Sequence, residues 1–291
     1  MIVQENVHLA AKTTMKIGGY ADRFYIPENE DELIAIAQEI YDTTGRVYIL
    51  SGGSNMLIND RCFEQVIYMN TACLKMTDLG EGRFYIGASN RIQKVISFVN
   101  EAGYGGFEEL VGLPAFFGGV VYMNAGIGGH SNSLFTIGDF IETVKAWDLT
   151  EKKLVEFPKD QCEFAHRTSV FRKHPYIILG AVIRCKERSR EEASQRMKAR
   201  LRVCKETFEY GKGCFGSCFS SVNYLLLRVV SLLCKVIKPG KGRVTFGKNN
   251  LNWLVNHGAG RYKDAMRIIK LCKWLHWVCR REIKCEVVIW E

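Results

Sequence analysis

Long apolar runs are missing from this chain of 291 residues. No stretch of about 18 uncharged apolar residues occurs, which excludes a membrane-spanning helix of ordinary length. The opening MIVQENVHLAAKTT carries polar and charged residues where a secretory signal needs its apolar core, so a cytoplasmic location is expected. C-x-x-C pairs are also absent. The eleven cysteines are an odd number scattered singly, which points to buried thiols rather than a disulfide framework. Proline is scarce, at five, and no internal repeat or low-complexity tract is present. With 47% apolar residues the chain can bury a sizeable core in two or three lobes, and it is neither disordered nor fibrous.

Acidic residues are missing from one long interval: after Glu209 none occurs until Asp264. Residues 188–291 hold 22 Lys plus Arg against 8 Asp plus Glu, a balance of +14, whereas residues 1–187 carry 18 against 23, or −5. A last third of that sign suits an anionic ligand, the plainer alternative being a solvated basic face. Its basic residues are not joined to a reading motif or an aromatic stacking platform, so no nucleic-acid partner is expected.

What is present reads as mixed structure. NEDELIAIAQEIYDTTG has Leu33, Ile36, Ala37 and Ile40 at helical spacing behind an acidic first turn and before a glycine. RVYILSGGSNMLI predicts a strand, a tight glycine turn and a second strand, and FEQVIYMN and RFYIGAS continue the β character. NRIQKVISFVNEAGYGG predicts an amphipathic helix. LVGLPAFFGGVVYMNAGIGGH is rich in glycine and small residues, so its backbone can approach something closely. FIETVKAWDL and YIILGAVIRC read as strands, and a charged helix from Arg188 reads as the domain joint. VNYLLLRVVSLLCKVI, interrupted by Arg228 and Lys235, predicts a buried helix, and EIKCEVVIW a closing strand. Cys272, His276 and Cys279 share one face of a helix, but one helix cannot wrap a tetrahedral ion, so they are read as core and no metal is expected.

YGKGCFGSCFSS, residues 210–221, spells G-x-G-x-x-G, the dinucleotide pattern, yet it could equally present Ser217. A dinucleotide fingerprint needs a preceding strand, an opening helix and an acidic residue about 20 positions later. This one follows a charged helical segment and has no such acid. The reading that remains is a glycine turn presenting Ser217.

TTMKIGGYADRF, LSGGSNMLI, GLPAFFGGVVYMNAG, HRTSVF and GSCF, in this order and spacing, resemble the bacterial UDP-N-acetylenolpyruvoylglucosamine reductase family, flavoenzymes of early peptidoglycan synthesis. The resemblance spans nearly the whole chain, is strongest from Thr13 to Phe171, and fits the shorter subclass. It implies an α+β fold: a two-part FAD-binding domain of the PCMH/vanillyl-alcohol-oxidase-like kind (1–70 and 71–187) and a smaller C-terminal α/β substrate domain (188–291). By the same resemblance, Gly52, Gly53, Ser54, Asn55, Met56 and Leu57 form a first FAD loop. Leu113, Pro114, Gly118, Gly119, Asn124, Ala125 and Gly126 form a second flavin-binding segment. Backbone N–H groups in such small-residue runs can cradle phosphates without a Rossmann turn.

The implied activity is NADPH-dependent reduction of UDP-N-acetylglucosamine enolpyruvate, with FAD and NADPH as cofactors. An enolate-like intermediate then needs positive charge, hydrogen bonds and a proton. Arg167 matches the family's arginine, Glu286 its late glutamate and Ser217 its proton donor. A monomer is implied, acting on a small nucleotide-sugar, with no membrane partner. Departures fall in the C-terminal part. Ser220 and Ser221 replace an Asn-Pro-like element, Asn249 and Asn250 stand where a lysine and a histidine are usual, and His166 replaces a tyrosine, while Asn252 and Asn256 match. These motivate an alternative reading, a catalytically impaired FAD-binding homologue with a binding or regulatory role. An FAD oxidase of the wider superfamily ranks last.

Overall fold

Asn29 starts the first helix, its side chain accepting the Glu32 N–H at 2.9 Å, and Gly45 ends it at φ 69. In this computed structural model, which describes residues 1–128, 135–207, 209 and 211–291, α1 spans Glu30–Thr44 and buries the four apolar residues at helical spacing, Leu33, Ile36, Ala37 and Ile40. Residues 129 and 130 of the second glycine-rich segment, and 208 and 210 at the end of the charged helix, lie outside the described residues.

The chain groups into two compact units, and the fold is α+β. Unit 1 comprises Met1–Gln4, Arg23–Gly52 and Gln65–Cys204. Its centre is an antiparallel five-stranded sheet in the order Lys153–Pro158, Ile141–Asp148, Tyr176–Arg184, Arg83–Gly87, Met76–Gly80. Alternation along Val144–Asp148 sends Val144 and Ala146 into the core, as period-2 geometry requires, and a register shift between Ile141 and Thr143 lets Ile141 be buried as well. Helix α2, Ile92–Glu101, adds Ile92, Val95, Ile96 and Val99 to the same core. Helix α3, Phe117–Tyr122, lies inside the glycine-rich segment, where Gly118 permits contact: a Cβ there would stand 2.8 Å from Ala88 Cβ. Most of α4, Arg190–Thr207, belongs to this unit, burying only Ala193 and Cys204. These contact units follow other cuts than the divisions at 70 and 187.

Unit 2 is assembled from Glu5–Asp22, Gly53–Glu64 and Lys205–Glu291. An antiparallel sheet runs Gly213–Ser217, Trp253–Asn256, Val244–Phe246. Met56–Ile58 pairs in parallel with Val288–Trp290. Helices α5, Tyr224–Ile237, and α6, Tyr262–Val278, cover a core that includes Met15, Ile17, Leu57, Phe215, Leu254 and Ile268.

Two expectations need correction here. The stretch predicted as a buried helix buries only one side of α5, through Leu227, Val230 and Ser231. Its opposite side is exposed, Val236 to 82%. An all-round apolar sequence fixes the helix but not how many of its sides are covered. The closing strand is also interrupted. Lys284–Cys285 pairs with Phe219–Ser221, Val288–Trp290 with Met56–Ile58, and at the junction the Glu286 and Val287 N–H groups both point to the Cys218 carbonyl, at 2.9 and 3.5 Å.

His276 is fully buried and doubly bonded: Nε2 accepts the Asn223 N–H at 3.1 Å, so Nδ1 carries the proton donated to the Cys272 carbonyl at 2.8 Å. Burial pushes the thiols of Cys73, Cys162, Cys185 and Cys272 up to about 12 from an ordinary 9.0. A raised thiol value holds the folded state in its neutral form, so that stability is fully present below pH 9 and is lost as pH rises toward 12. Urea unfolding midpoints should therefore be flat to about pH 8 and fall steadily above about pH 9. Exposed Cys62 and Cys279 should react first with a thiol reagent.

Candidate active site

In unit 1 the two glycine-rich stretches meet. A Cβ on Gly52 would stand 2.9 Å from the Pro114 carbonyl oxygen and 3.1 Å from Ala115 Cα, and one on Gly119 would lie 3.5 Å from Ser51 Oγ. Bare backbone is therefore required at Gly52. Helix α2 fixes the second stretch: Gln93 Nε2 donates to the Val111 and Leu113 carbonyls at 2.9 and 2.6 Å, and the Ile92 N–H donates to Ala115 O at 3.0 Å.

Arg167 belongs to the same unit. Ala165 and Thr168 exchange backbone hydrogen bonds at 3.2 Å, leaving His166 and Arg167 at the tip of a tight turn, with Arg167 at φ 56. A left-handed conformation is unusual for arginine and persists only where neighbours hold it. They do. Arg167 Nη2 donates to Gly126 O at 2.9 Å, Arg172 Nη1 donates to Arg167 O at 2.6 Å, and Asn124 Nδ2 donates to Ala165 O at 2.9 Å. Ser169 Oγ adds a bond to Tyr122 O at 2.7 Å, so the arginine turn is tied to the Asn124–Ala125–Gly126 segment at several points. Arg172 and Ser169 lacked any periodic signal in the sequence.

In unit 2, Gly53 sits at φ 62, and a Cβ there would stand 2.2 Å from the Lys12 carbonyl oxygen. The Thr14 N–H donates to Gly53 O at 3.1 Å and its hydroxyl to Ser54 O at 3.3 Å, which explains why TTMKIGG and GGSN belong together. Ser217 ends a strand and pairs with Trp253 after a bulge at Gly216, φ 79. The GxGxxG glycines thus belong to a strand and its turns, with no helix opening among them. Asn55 Nδ2 donates to Glu286 O at 3.4 Å, and the Val288 N–H donates to Asn55 O at 3.0 Å. With Glu286 N–H on Cys218 O, the backbones at Asn55, Cys218 and Glu286 form one contiguous cluster. Asn55 Oδ1 is buried without a hydrogen-bond partner among the described residues, an acceptor suited to a donor on a bound group. Met56 and Leu57 continue as strand, Leu57 fully buried.

The two matching asparagines act on backbone. Asn252 accepts the Phe219 N–H at 3.0 Å and donates to Phe219 O at 2.7 Å, clamping the segment after Ser217. Asn256 is fully buried, donating to Met15 O at 3.0 Å and accepting from Gly258 and Gly260 N–H.

These loops can be compared with known proteins. Residues 21–156 match the family described as FAD binding domain. The UDP-N-acetylenolpyruvoylglucosamine reductase of Bacillus pumilus is 30% identical over 272 residues, covering 92% of this chain and 87% of that protein. The reductase of the same name from Bacillus subtilis is 31% identical over 271 residues, covering 92% and 86%. The chain belongs to the UDP-N-acetylenolpyruvoylglucosamine reductase family. The crystal structure of the Thermus caldophilus member matches at a TM-score of 0.74 over the full length of both chains, with 23% identity, a likeness of fold.

Within that family frame, the departures at 249 and 250 hold backbone. Asn249 Nδ2 donates to Glu206 O and Thr207 O at 3.1 Å, capping α4, and Asn250 Oδ1 accepts the Asn252 N–H at 2.8 Å. The small-residue cradle at Gly52 in unit 1 and the orphaned Asn55 acceptor in unit 2 each fit a nucleotide cofactor.

Proposed function

We propose that this chain is an FAD-dependent reductase that oxidises NADPH and converts UDP-N-acetylglucosamine enolpyruvate to UDP-N-acetylmuramate. The observation that carries the reading is 30–31% identity over 92% of the chain to reductases of that name. Gly52 to Leu57 and Leu113 to Gly126 are the stretches proposed to hold FAD. Bound FAD supplies the two-electron relay between NADPH and the enolpyruvyl double bond. Reduction of that bond gathers negative charge beside the substrate carboxylate. Arg167, already oriented through Gly126 O, is proposed to hold and neutralise that charge. Glu286 would share the task if its carboxyl carries a proton, and Ser217 would deliver the proton to the carbanion. The basic C-terminal part suits a diphosphate, and we take the enzyme to act as a cytoplasmic monomer.

The test is spectroscopic. Purified protein should be yellow, bleach with NADPH, and regain colour when the enolpyruvyl sugar nucleotide is added. A protein that stays colourless with added FAD removes the reading. Arg167→Lys keeps a charge but loses the planar fork. It should lower kcat/KM for the sugar nucleotide about 100-fold while leaving flavin content unchanged, checked by steady-state assay against the absorbance ratio.

A further inference from the structure

The outward sides of α5 and α6 carry a surface that includes none of the residues proposed above to hold FAD or to take part in the reduction. On α5, Leu225, Val229, Leu232 and Val236 recur at i, i+4, i+7 and i+11, opposite the buried side, with Leu225 at 74% and Val236 at 82% exposure. Single exposed apolar residues are ordinary, but four in line make a stripe. Arg228 and Lys235 flank it, both exposed, and α5 holds no acidic residue.

Helix α6 runs antiparallel beside it. Asn223, capping the start of α5, donates to His276 near the end of α6, and Arg243, just beyond α5, bonds Asp264 in the first turn of α6 at 3.1 Å. The outer stripe of α6 reads Lys263, Arg267, Lys270, Trp274, Trp277, with Trp277 at 76% exposure, followed by Arg280 and Arg281. Residues 224–281 contain 13 Lys plus Arg and one acidic residue, Asp264, which is fully buried.

We propose that this face docks on the surface of an anionic lipid bilayer, with α5 and α6 lying along the headgroups. Leucine, valine and tryptophan side chains would enter the acyl boundary, and the lysine and arginine stems would reach lipid phosphates. Charge selects the occupant. A second copy of this face would set the cations of the two stripes against each other, because the exposed carboxylates nearest to them, Asp60 at the start of α6 and Glu282 beyond its end, lie outside the stripes. Neither helix offers an exposed Ser, Thr, Asn or Gln, the groups with which a protein interface satisfies its rim. With 14 residues, α5 is too short to cross a bilayer, so the contact is peripheral.

The test is flotation of the full-length protein with phosphatidylcholine vesicles, with and without a quarter of phosphatidylglycerol. Binding should require phosphatidylglycerol at about 0.1 M salt and vanish near 1 M, as the screening length shrinks. Leu232→Glu with Val236→Glu should weaken it at least about tenfold, and Arg267→Glu with Lys270→Glu should remove the lipid preference. Circular dichroism and flavin content verify that these surface variants fold. For the unaltered protein, lipids brominated near the headgroup should quench tryptophan emission. The proposal is overturned by no flotation on anionic vesicles at low salt, by flotation indifferent to the Leu232 and Val236 changes, by absent quenching, or by a dimer that those changes dissociate without any vesicle binding.

Discussion

Ser217→Ala is expected to cut turnover about 1000-fold while leaving reduction of the bound flavin by NADPH intact. Alanine keeps the Cβ and backbone of Ser217, so its pairing with Trp253 and the Asn252 clamp on Phe219 should survive. What is lost is the hydroxyl proton. The two half-reactions therefore separate: anaerobic stopped-flow should show normal bleaching with NADPH and slow recovery of colour with the enolpyruvyl sugar nucleotide. Equal loss in both halves would mean that Ser217 serves cofactor binding. Normal recovery would give the proton to another group, and Ser217 would revert to a turn residue.

Gly53→Ala should be nearly as severe, for a different reason. Two costs add: about 1–2 kcal/mol for an L-residue in the left-handed region, and about 1–3 kcal/mol for overpacking against backbone that cannot rotate away. The obstructing atom is the Lys12 carbonyl oxygen, 2.2 Å from where the Cβ would be. Gly45 is the control, with a similar φ of 69 and nothing within 4 Å of its would-be Cβ. Gly45→Ala should cost only about 1 kcal/mol, whereas Gly53→Ala should lower urea stability by roughly 2–5 kcal/mol and lower the flavin content. Equal losses at the two glycines would show that conformation alone, not close approach to the Thr13–Thr14 segment, explains the GGSN turn.

Local features of the fold were readable in the chain. Helix α1 announces itself through Asn29, three acidic residues and Gly45, because caps and period act within a few residues. Helix α5 shows the limit of periodicity: its pattern specifies a helix, but covering its second side depends on what the rest of the chain supplies. The break at Glu286 could not be read, since it depends on the carbonyl of Cys218, 68 positions earlier. The candidate site divides likewise. The glycine loops are contiguous motifs and stand out, and the resemblance to a known family drew attention to Arg167, Ser217 and Glu286. The ties that orient them do not stand out: Arg172 to Arg167, Asn124 to Ala165, and Asn55 to Glu286 across 231 positions. Pairing over such distances leaves no trace in hydrophobic period.

The composition of unit 2 from three separated pieces sets the order in which the polypeptide can acquire shape. Closing a loop of well over 100 residues precedes any reward from its contacts. During synthesis Met15, Ile17 and Leu57 emerge long before Phe215, Leu254 and Ile268 exist to cover them. A ribosome paused near position 204 would therefore carry a unit 1 able to consolidate and an apolar remnant open to chaperones.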